Sequence, residues 1–391
     1  MLSQVPGTPE EPPAGPQPGR RLEDRLDALG EQIDGQLDEL YPPSPAPQAV
    51  QALLAQAAFR GQLTETQMRA LSRRVHDTLT APVRHLIEAG GQRWRHGLML
   101  VAIDALGGDG ARFAPLAAAV EGIHTGSLIV DDVQDAAVLR RGRPAAHQVF
   151  GLPTALNAGT AAYFAFDTAI RRTAADDPPL RAALYEAYSG VLRAAHAGQA
   201  LDLQGHSLEV EQALRSGCNR SLAQVVLLTH RLKSGVVVGA SLEMAGLVSG
   251  ANAETCAALY AFGAAVGTAY QIADDIADLD GVCRGGQATK SVGEDLHNGK
   301  VTVPFVHAVA LAPQDAGQMW RWVAHGRATA QQVERAITML HECGAVQAST
   351  SEADTVFAAG WQQLDVRLPA SREKELVHDM AWWVVNQHRV A

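Results

Sequence analysis

The sequence predicts an all-α protein built as a single large helical bundle around a central cavity. Strand-like alternation is absent from five apolar stretches, which favours helices at residues 83–89, 98–106, 113–130, 155–173 and 180–203. Breaks rich in glycine, proline or aspartate fall at residues 107–110, 176–179 and 281–286 and at Pro313. Residues 257–268 are rich in alanine and glycine, which would let neighbouring helices approach closely around a cavity.

The two ends of the chain are predicted to differ. Residues 1–20 are proline-rich without an apolar run, so we expect a disordered tail and no signal peptide. Residues 21–41 predict an amphipathic helix, packed on the body or on a second subunit, with Leu22, Leu26, Leu29, Ile33, Leu37 and Leu40 on its apolar face. Residues 373–389 predict a last helix. No run of 18 or more apolar residues occurs, so we expect no transmembrane segment.

Charge and cysteine content narrow the class of protein. The formal net charge is −10 and the pI is about 5.8, which argues against nucleic-acid binding. An acidic protein that binds an anionic substrate must provide local cations, either metal ions or well-placed Lys and Arg. The four cysteines are scattered without CxxC spacing, which is typical of reduced thiols and predicts a cytoplasmic location.

Three aspartates, Asp131, Asp132 and Asp135, follow an apolar run. In a helix, Asp131 and Asp135 lie on one face, one turn apart, and repel each other unless a cation lies between them. Carboxylate-rich sites suit Mg²⁺, which is often shared with a substrate phosphate. Arg140 and Arg141 follow within two turns, and their guanidinium groups match phosphate oxygens. Alone, such a motif is more typical of a solvated acidic face.

The motif occurs a second time, with Asp274, Asp275 and Asp278 placed where another apolar helix is expected. Unpaired buried carboxylates are costly, so two such triplets are hard to explain as solvated faces. They are explained if they face one another across a cavity with divalent ions and a diphosphate between them. The duplication and the lack of an internal linker favour one domain over residues 21–391, although this length would allow two or three average domains.

With both motifs in place, the chain resembles a known family, the trans-isoprenyl diphosphate synthases (polyprenyl synthetases), and among them the geranylgeranyl diphosphate synthases. The resemblance covers residues 45–391 and rests on ordered blocks: GGQRWR at 90–95, HTGSLIVDDVQD at 124–135, LRRGRP at 139–144, GQALDL at 198–203, Lys233-Ser234, YQIADDIAD at 270–278 and KSVGEDLHNGKVTVP at 290–304. It implies the helical fold, a homodimer and a role in isoprenoid biosynthesis.

The activity that the resemblance implies is condensation of an allylic diphosphate with isopentenyl diphosphate, with three Mg²⁺ ions. The allylic C–O bond breaks heterolytically, and metal ions stabilise the charge that develops on the departing diphosphate. By resemblance, Asp131 and Asp135 hold two ions and Asp274 holds the third. The other three aspartates complete the metal sites by orienting waters and ligands; they are Asp132, Asp275 and Asp278.

Four cations are expected to bind the allylic diphosphate: Arg140, Lys233, Lys290 and Lys300. The last two lie in a polar, glycine-punctuated loop directly after the second aspartate motif. Gln271, less than one turn before Asp274, would aim its amide oxygen at the carbocation, and main-chain carbonyls near Lys233 and Ser234 would act in the same way. No protein base is required, because the released diphosphate can take the proton.

The site for isopentenyl diphosphate is where the chain departs from the family. Three expected contacts match the family pattern: Arg95, His124 and Arg141. The family usually has a lysine where this chain has Gln92, and losing that contact would cost roughly 1.5–3 kcal/mol of binding unless Arg93 or a water compensates. Thr160 also follows Gly159 where the family usually has aspartate, which we interpret as a structural difference.

Product length is predicted from the turns of the helix that precede Asp131. Gly126 and Ser127 lie just over one turn before the metals and are expected to face the growing tail, whereas Ile123 fills the next turn. Each turn rises about 5.4 Å, close to one isoprene unit. The small residues of the first turn, Gly126 and Ser127, predict a product of C20 or longer. Ile123, Tyr163 or Phe164 would close the far end of the cavity.

Parts of the sequence could also indicate three other functions. A class I terpene cyclase or atypical prenyltransferase on the same fold would ionise a long allylic diphosphate without isopentenyl diphosphate; Gln92 favours it, and the retained Arg95, His124 and Arg141 argue against it. A carboxylate di-iron bundle would use the two ExxH sequences at 121–124 and 375–378, but it leaves both aspartate motifs unexplained. A non-catalytic regulatory subunit would have no need of intact metal ligands.

Overall fold

The computed structural model describes residues 18–59, 61–281, 283–284, 287–288, 292–324, 326 and 328–390. Over these residues the protein is all-α, which confirms the predicted fold class. The helices are α1 (Pro18–Leu40), α2 (Pro47–Gln56), α3 (Glu65–Val75), α4 (Ala81–Ile87), α5 (Trp94–Ala105), α6 (Ala114–Gln134), α7 (Ala146–Phe150), α8 (Leu152–Ala162), α9 (Ala165–Thr173), α10 (Pro178–Gln204), α11 (Ser207–Ser216), α12 (Arg220–His230), α13 (Val236–Val248), α14 (Ala253–Asp280), α15 (Glu294–His297), α16 (Val303–Leu311), α17 (Pro313–Val323), α18 (Ala330–Glu342), α19 (Ala345–Asp365) and α20 (Arg372–Val390).

Shorter elements connect these helices. Two are π-helical, His76–Thr80 and Arg231–Gly235, and Gly110–Phe113 is a 3₁₀ turn. Two antiparallel hairpins were not predicted: β1 (Leu139–Arg140) pairs with β2 (Arg143–Pro144), and β3 (Cys283–Arg284) pairs with β4 (Gln287–Ala288).

The N-terminal helix packs on the body of the protein. It begins at Pro18, slightly before the predicted start at residue 21, and proline suits the first helical position because it has no N–H to leave unpaired. Leu29, Ile33 and Leu37 are buried, and α1 lies against α6. Helix α1 therefore packs on the body through these residues, and the side chains of Leu22 and Leu26 lie outside the described part. Disorder was predicted over residues 1–20; residues 18–20 are helical, and residues 1–17 lie outside the described residues.

Helix α14 runs through the middle of the bundle, between α13 and α19, and most of its length is buried. Glycines allow this close packing: a Cβ at Gly263 would lie 2.6 Å from the carbonyl oxygen of Val238, and one at Gly360 would lie 2.5 Å from Cβ of Ala265. The second aspartate motif is therefore carried by a helix held on two sides. The first lies at the end of α6, which α5, α8 and α9 surround.

The prediction of one continuous helix over residues 155–173 was wrong, because α8 ends at Ala162 and α9 begins at Ala165. The hydroxyl of Tyr188 on α10 donates a hydrogen bond of 2.7 Å to the carbonyl of Tyr163, at the break. No glycine or proline marks this position, so the sequence carried no local sign of it.

Three helical stretches are long and apolar enough to cross a membrane by length and composition alone: residues 110–134, 220–248 and 253–280. Between 56% and 72% of each apolar window is buried inside the protein, so these stretches give no evidence of a membrane span. Their apolar character is accounted for by the core around the cavity.

Candidate active site

A cavity of about 1540 Å³ opens between α5, α6, α10 and α14, and both aspartate motifs reach its wall. Most predicted site residues line it: Gln92, Arg95, Ile123, His124, Ser127, Asp131, Asp135, Arg140, Arg141, Lys233, Ser234, Gln271, Asp274, Asp275 and Lys300. Gly126, Asp132 and Asp278 do not line the cavity. Lys290 lies outside the described residues.

The carboxylates of Asp131 and Asp135 are held by lysines from distant parts of the chain. Asp131 accepts hydrogen bonds from Nε2 of Gln199 at 2.9 Å and from Nζ of Lys233 at 3.2 Å, and Asp135 accepts one from Nζ of Lys300 at 2.8 Å. Burial raises the pKa of Asp131, but the charges of Lys233, Lys300 and Arg140 lower it by more than burial raises it. The net shift is downward, so the group is ionised.

Asp132 has a different environment, because it points away from the cavity into the protein. Its Oδ1 accepts a hydrogen bond of 2.7 Å from Nε of Arg140, and its Oδ2 has no hydrogen-bond partner among the described residues. Burial raises the pKa of Asp132 more than Arg140 lowers it. Arg140 also lies 3.7 Å from Asp131, so Asp132 fixes the arginine beside the first motif.

The second motif is divided in the same way. Asp274 and Asp275 both line the cavity, but Asp275 accepts hydrogen bonds of 2.9 Å from Nε2 of His230 and from the backbone N–H of Val303. Asp278 accepts the backbone N–H of Asp295 at 3.1 Å. Asp275 and Asp278 thus tie the end of α14 to the segments that follow it, and leave Asp274 facing the cavity.

In the part of the chain that the structure describes, no group of three or more His, Cys, Asp or Glu side chains is gathered at one point as a ready metal site. The two aspartate motifs lie instead on separate walls of the cavity, one at the end of α6 and the other on α14. This spacing is compatible with ions that are shared with a substrate, since Mg²⁺ commonly takes one or two protein carboxylates and completes its shell with waters and phosphate oxygens.

Lys233 lies in the π-helical segment Arg231–Gly235, which packs between α10 and α14. A Cβ at Gly198 would lie 2.5 Å from the backbone nitrogen of Lys233, and one at Gly267 would lie 2.7 Å from the carbonyl oxygen of Ser234. These glycines let the segment lie deep in the bundle. Nζ of Lys233 then bridges Asp131 and Asp202, at 3.2 and 2.7 Å. Such π-helical insertions are frequent at functional sites.

Gln271 and Ser234 form a pair on the cavity wall. The hydroxyl of Ser234 donates a hydrogen bond of 2.8 Å to Oε1 of Gln271. The amide oxygen predicted to face a carbocation is therefore oriented by a neighbouring hydroxyl, and its second lone pair remains for another partner.

Arg140 and Arg141 diverge because a tight hairpin turn follows Arg140. Arg141 and Gly142 form the two-residue loop between β1 and β2 and both have positive φ, 52° and 74°, which is the pattern of a type I′ turn. Arg140 turns to the first aspartate motif. The Arg141 guanidinium instead donates to the carbonyl oxygen of Leu86 at 3.1 Å, next to Gly91, where a Cβ would lie 3.0 Å from the guanidinium carbon.

Arg95 and Arg141 form a second cationic group, beside the imidazole of His124. The Arg95 guanidinium stacks on the rings of Trp94 and Tyr270, at 4.4 and 5.3 Å from their centroids, which fixes its plane. Burial lowers the pKa of His124 well below its ordinary value, and Arg95 and Arg141 lower it further, so the imidazole is neutral.

Gln92 and Arg93 are engaged with the two ends of the chain. The side-chain amide of Gln92 donates to the side-chain oxygen of Gln387 on α20, and Arg93 forms an ion pair with Asp34 on α1. Compensation for the missing lysine by Arg93 would require this ion pair to open. Nothing in the described residues places a lysine where the family usually has one.

The predicted orientation of Gly126 was wrong. Its Cα faces α8, where an added Cβ would lie 2.6 Å from the carbonyl oxygen of Gly159 and 2.7 Å from Cβ of Ala162. Ser127 and Ile123 do line the cavity. Of the two aromatic floor candidates, Tyr163 lines the cavity, and Phe164 is on the surface with 67% of its area exposed.

Three polar residues of the site had no assigned role in the sequence analysis: Gln199, Asp202 and His230. Gln199 and Asp202 lie three residues apart on α10, within the GQALDL block, and His230 lies three residues before Lys233. This spacing puts Gln199 and Asp202 on one helical face, and His230 on the same face as Lys233, which is the pattern that would have identified them.

Comparison with known proteins gives a consistent result. The polyprenyl synthetase family model matches residues 76–340. The chain is 31% identical to the geranylgeranyl pyrophosphate synthase of Geoglobus acetivorans over 287 residues, which cover 72% of this chain and 83% of that protein. It is 34% identical to the farnesyl diphosphate synthase of Geobacillus stearothermophilus over 278 residues, 67% of this chain and 88% of that protein.

The solved structures agree. The structure of a polyprenyl synthase from Caulobacter crescentus, complexed with calcium and isoprenyl diphosphate, is 26% identical and has a TM-score of 0.71. The matched region covers 93% of this chain and 97% of that one. The similarity therefore extends over almost the whole helical body.

Proposed function

Because this chain belongs to the polyprenyl synthetase family and is a trans-isoprenyl diphosphate synthase, we propose that it condenses an allylic diphosphate with isopentenyl diphosphate, with Mg²⁺, to a product of C20 or longer. One observation carries the proposal: the cavity has two separate cationic groups. One, formed by Arg140, Lys233 and Lys300, surrounds the aspartate motifs, and the other contains Arg95 and Arg141. Two diphosphates need two such groups, whereas a cyclase needs one.

The donor set fits magnesium. Asp131, Asp135 and Asp274 present carboxylate oxygens to the cavity, the ligand type that Mg²⁺ prefers. We propose that these three residues hold three ions, and that Asp132, Asp275 and Asp278 support the site from behind by holding Arg140 and the end of α14. Bound ions would stabilise the charge on the departing diphosphate. The metal and diphosphate named for the Caulobacter crescentus structure support this proposal by similarity.

The chain's own cations change partners in this scheme. Lys233 and Lys300 now neutralise Asp131, Asp202 and Asp135. Burial lowers the pKa of each lysine, but the surrounding aspartates raise it overall, so both ammonium groups stay charged. With metal ions bound at the aspartates, Lys233 and Lys300 would be free to donate hydrogen bonds to phosphate oxygens.

Bond breaking and bond making balance without a protein base. The allylic C–O bond breaks, the double bond of isopentenyl diphosphate supplies the electron pair for the new C–C bond, and the released diphosphate takes the proton. Gln271 and the carbonyls of the π-helical segment face the positive charge as fixed dipoles. Burial holds these dipoles in place before the reaction.

Product length follows from the depth below Asp131. Ser127 lies about one turn and Ile123 about two turns below it, at about 5.4 Å per turn. A small apolar pocket continues beyond, lined by Val120, Phe166 and Met244, and shares Ile123 with the main cavity. Ser127 and Ile123 line about two turns of this depth, and the small pocket beyond Ile123 supports the proposal that the chain grows further, to C20 or longer.

The decisive experiment supplies labelled isopentenyl diphosphate, Mg²⁺ and dimethylallyl, geranyl, farnesyl or geranylgeranyl diphosphate in separate reactions. We expect label in a longer diphosphate, with C20 or above as the main species by mass. Hydrocarbon or alcohol formed from geranylgeranyl diphosphate alone, without incorporation of label, would establish the cyclase instead. Chelation of the metal should abolish turnover and readdition of Mg²⁺ should restore it.

We further propose a cytoplasmic homodimer. Leu152, Leu156 and Phe164 expose apolar side chains along α8 and the break before α9, which supports association of two copies through this face. Three cysteines are free thiols among the described residues, Cys218, Cys256 and Cys343, in keeping with a reducing compartment. Light scattering in solution tests the dimer. We expect twice the monomer mass for the wild type and the monomer mass for Phe164→Glu.

A further inference from the structure

Glu121 is a carboxylate in the wall of the second cationic group, where the diphosphate of isopentenyl diphosphate is proposed to bind. It lies on α6, lines the cavity, and its side chain is only 5% exposed. Burial raises its pKa, but His96 and the charge of Arg141 lower it overall, so it is ionised. A negative charge at this place repels a diphosphate, so we expect it to have a second effect that favours binding.

The contacts of Glu121 indicate that effect. Its Oε1 lies 3.6 Å from Nη2 of Arg141, and its Oε2 lies 3.6 Å from Nδ1 of the fully buried His96. The carbonyl oxygen of Leu86 accepts from Nη1 of the same guanidinium at 3.1 Å. Gly91 leaves room for the guanidinium, since a Cβ at this residue would lie 3.0 Å from the guanidinium carbon.

Arg141 needs such a support because of where it lies in the chain. It occupies a turn position with φ of 52°, which is uncommon for a residue other than glycine and is maintained only when the surroundings fix it. Its long side chain would otherwise be free to rotate about its own bonds above the cavity. A buried carboxylate and a carbonyl on two nitrogens of the guanidinium remove that freedom.

We infer that Glu121 is a positioning residue that holds the Arg141 guanidinium in place for the diphosphate of the second substrate. The inference rests on the proposed function, since it takes that substrate to be isopentenyl diphosphate. It also assigns a role to the glutamate of the first ExxH sequence, which needs no iron.

Glu121→Gln separates positioning from simple repulsion, because the two predict opposite signs. Loss of positioning should raise KM for isopentenyl diphosphate by about five- to thirtyfold, with KM for the allylic substrate unchanged. If Glu121 only repels, removing its charge should lower KM. Glu243→Gln is the matched control: this partly buried glutamate of α13 does not line the cavity, and its substitution should leave both KM values unchanged.

A double-mutant cycle with Arg141→Lys identifies the partner. Lysine keeps the charge but cannot reach both Glu121 and the carbonyl of Leu86 with a fork of donors, so Glu121→Gln should change KM by less than about twofold in that background. An effect of equal size in both backgrounds, or an unchanged or lower KM in the single variant, overturns the inference.

Two further outcomes keep the test decisive. If Glu121→Gln does not fold, as judged by circular dichroism, Glu121→Asp takes its place, and its smaller increase in KM should depend on Arg141 in the same way. Wild-type protein that incorporates no isopentenyl diphosphate refutes the proposed function and this inference together. Incorporation without coupling between Glu121 and Arg141 refutes only the inference.

Discussion

Adjacent residues of α6 should respond in opposite ways to enlargement. Ser127 lines the cavity about one turn below Asp131, whereas Gly126 faces α8. Ser127→Phe places a ring across the path of the growing chain, with room for it in the cavity, so the main product should shorten by at least one isoprene unit. The Ser127 hydroxyl only donates to the carbonyl of His124, at 2.8 Å, and its loss should cost about 1 kcal/mol or less.

Gly126→Ala has no such room. The added Cβ would lie 2.6 Å from the carbonyl oxygen of Gly159 and 2.7 Å from Cβ of Ala162, so α6 and α8 must move apart. Overpacking of this kind typically costs about 1–3 kcal/mol, and the clash with a backbone atom places it at the upper end. The expected result is a lower free energy of unfolding with little selective change in product length.

The assay pairs the two readouts for each variant. Products from labelled isopentenyl diphosphate and dimethylallyl diphosphate are dephosphorylated and separated by chain length, and unfolding is followed in denaturant. A Gly126→Ala protein that keeps wild-type stability and makes shorter chains, beside an unchanged product from Ser127→Phe, would show that the assigned rotation of α6 is wrong.

The remaining predictions concern metals, charge, packing and pH. Asp131→Ala should lower kcat by at least about two to three orders of magnitude with the fold retained by circular dichroism, and near-full activity would refute the metal assignment. Gln92→Lys should lower KM for isopentenyl diphosphate by up to about tenfold with kcat nearly unchanged, and an unchanged KM would argue against a contact there. Gly198→Ala should lower the melting temperature and kcat together, because its Cβ would lie 2.5 Å from the nitrogen of Lys233; an unaltered protein would contradict that packing. Because the pKa of His124 is lowered, this ring gains its proton only well below its ordinary pKa, so His124→Gln should leave the pH dependence of KM for isopentenyl diphosphate unchanged between about pH 6 and 8.

The sequence by itself determined the helical class and the chemistry of the first substrate site. Helical periodicity and the paired aspartate motifs predict two helices that end at one cavity, and Asp131 and Asp274 do line it. Lys233 and Lys300 were predicted from their blocks, and both lie beside carboxylates of the site. The aspartate motifs are readable because they rest on residue type and short spacing, which the local geometry of a helix converts directly into position, whereas the two lysines were assigned through the resemblance to the family.

The tertiary structure alone decided which neighbour each helical face meets. Periodicity placed Gly126 near the cavity, but neighbouring residues on a helix point about 100° apart, and the carbonyl of Gly159 fixed the rotation of α6. The partner of Gln92 lies at the other end of the chain, in Gln387, and the divergence of Arg140 from Arg141 depends on a two-residue turn. Such contacts join residues far apart in sequence, whose relative positions follow from the packing of the whole bundle.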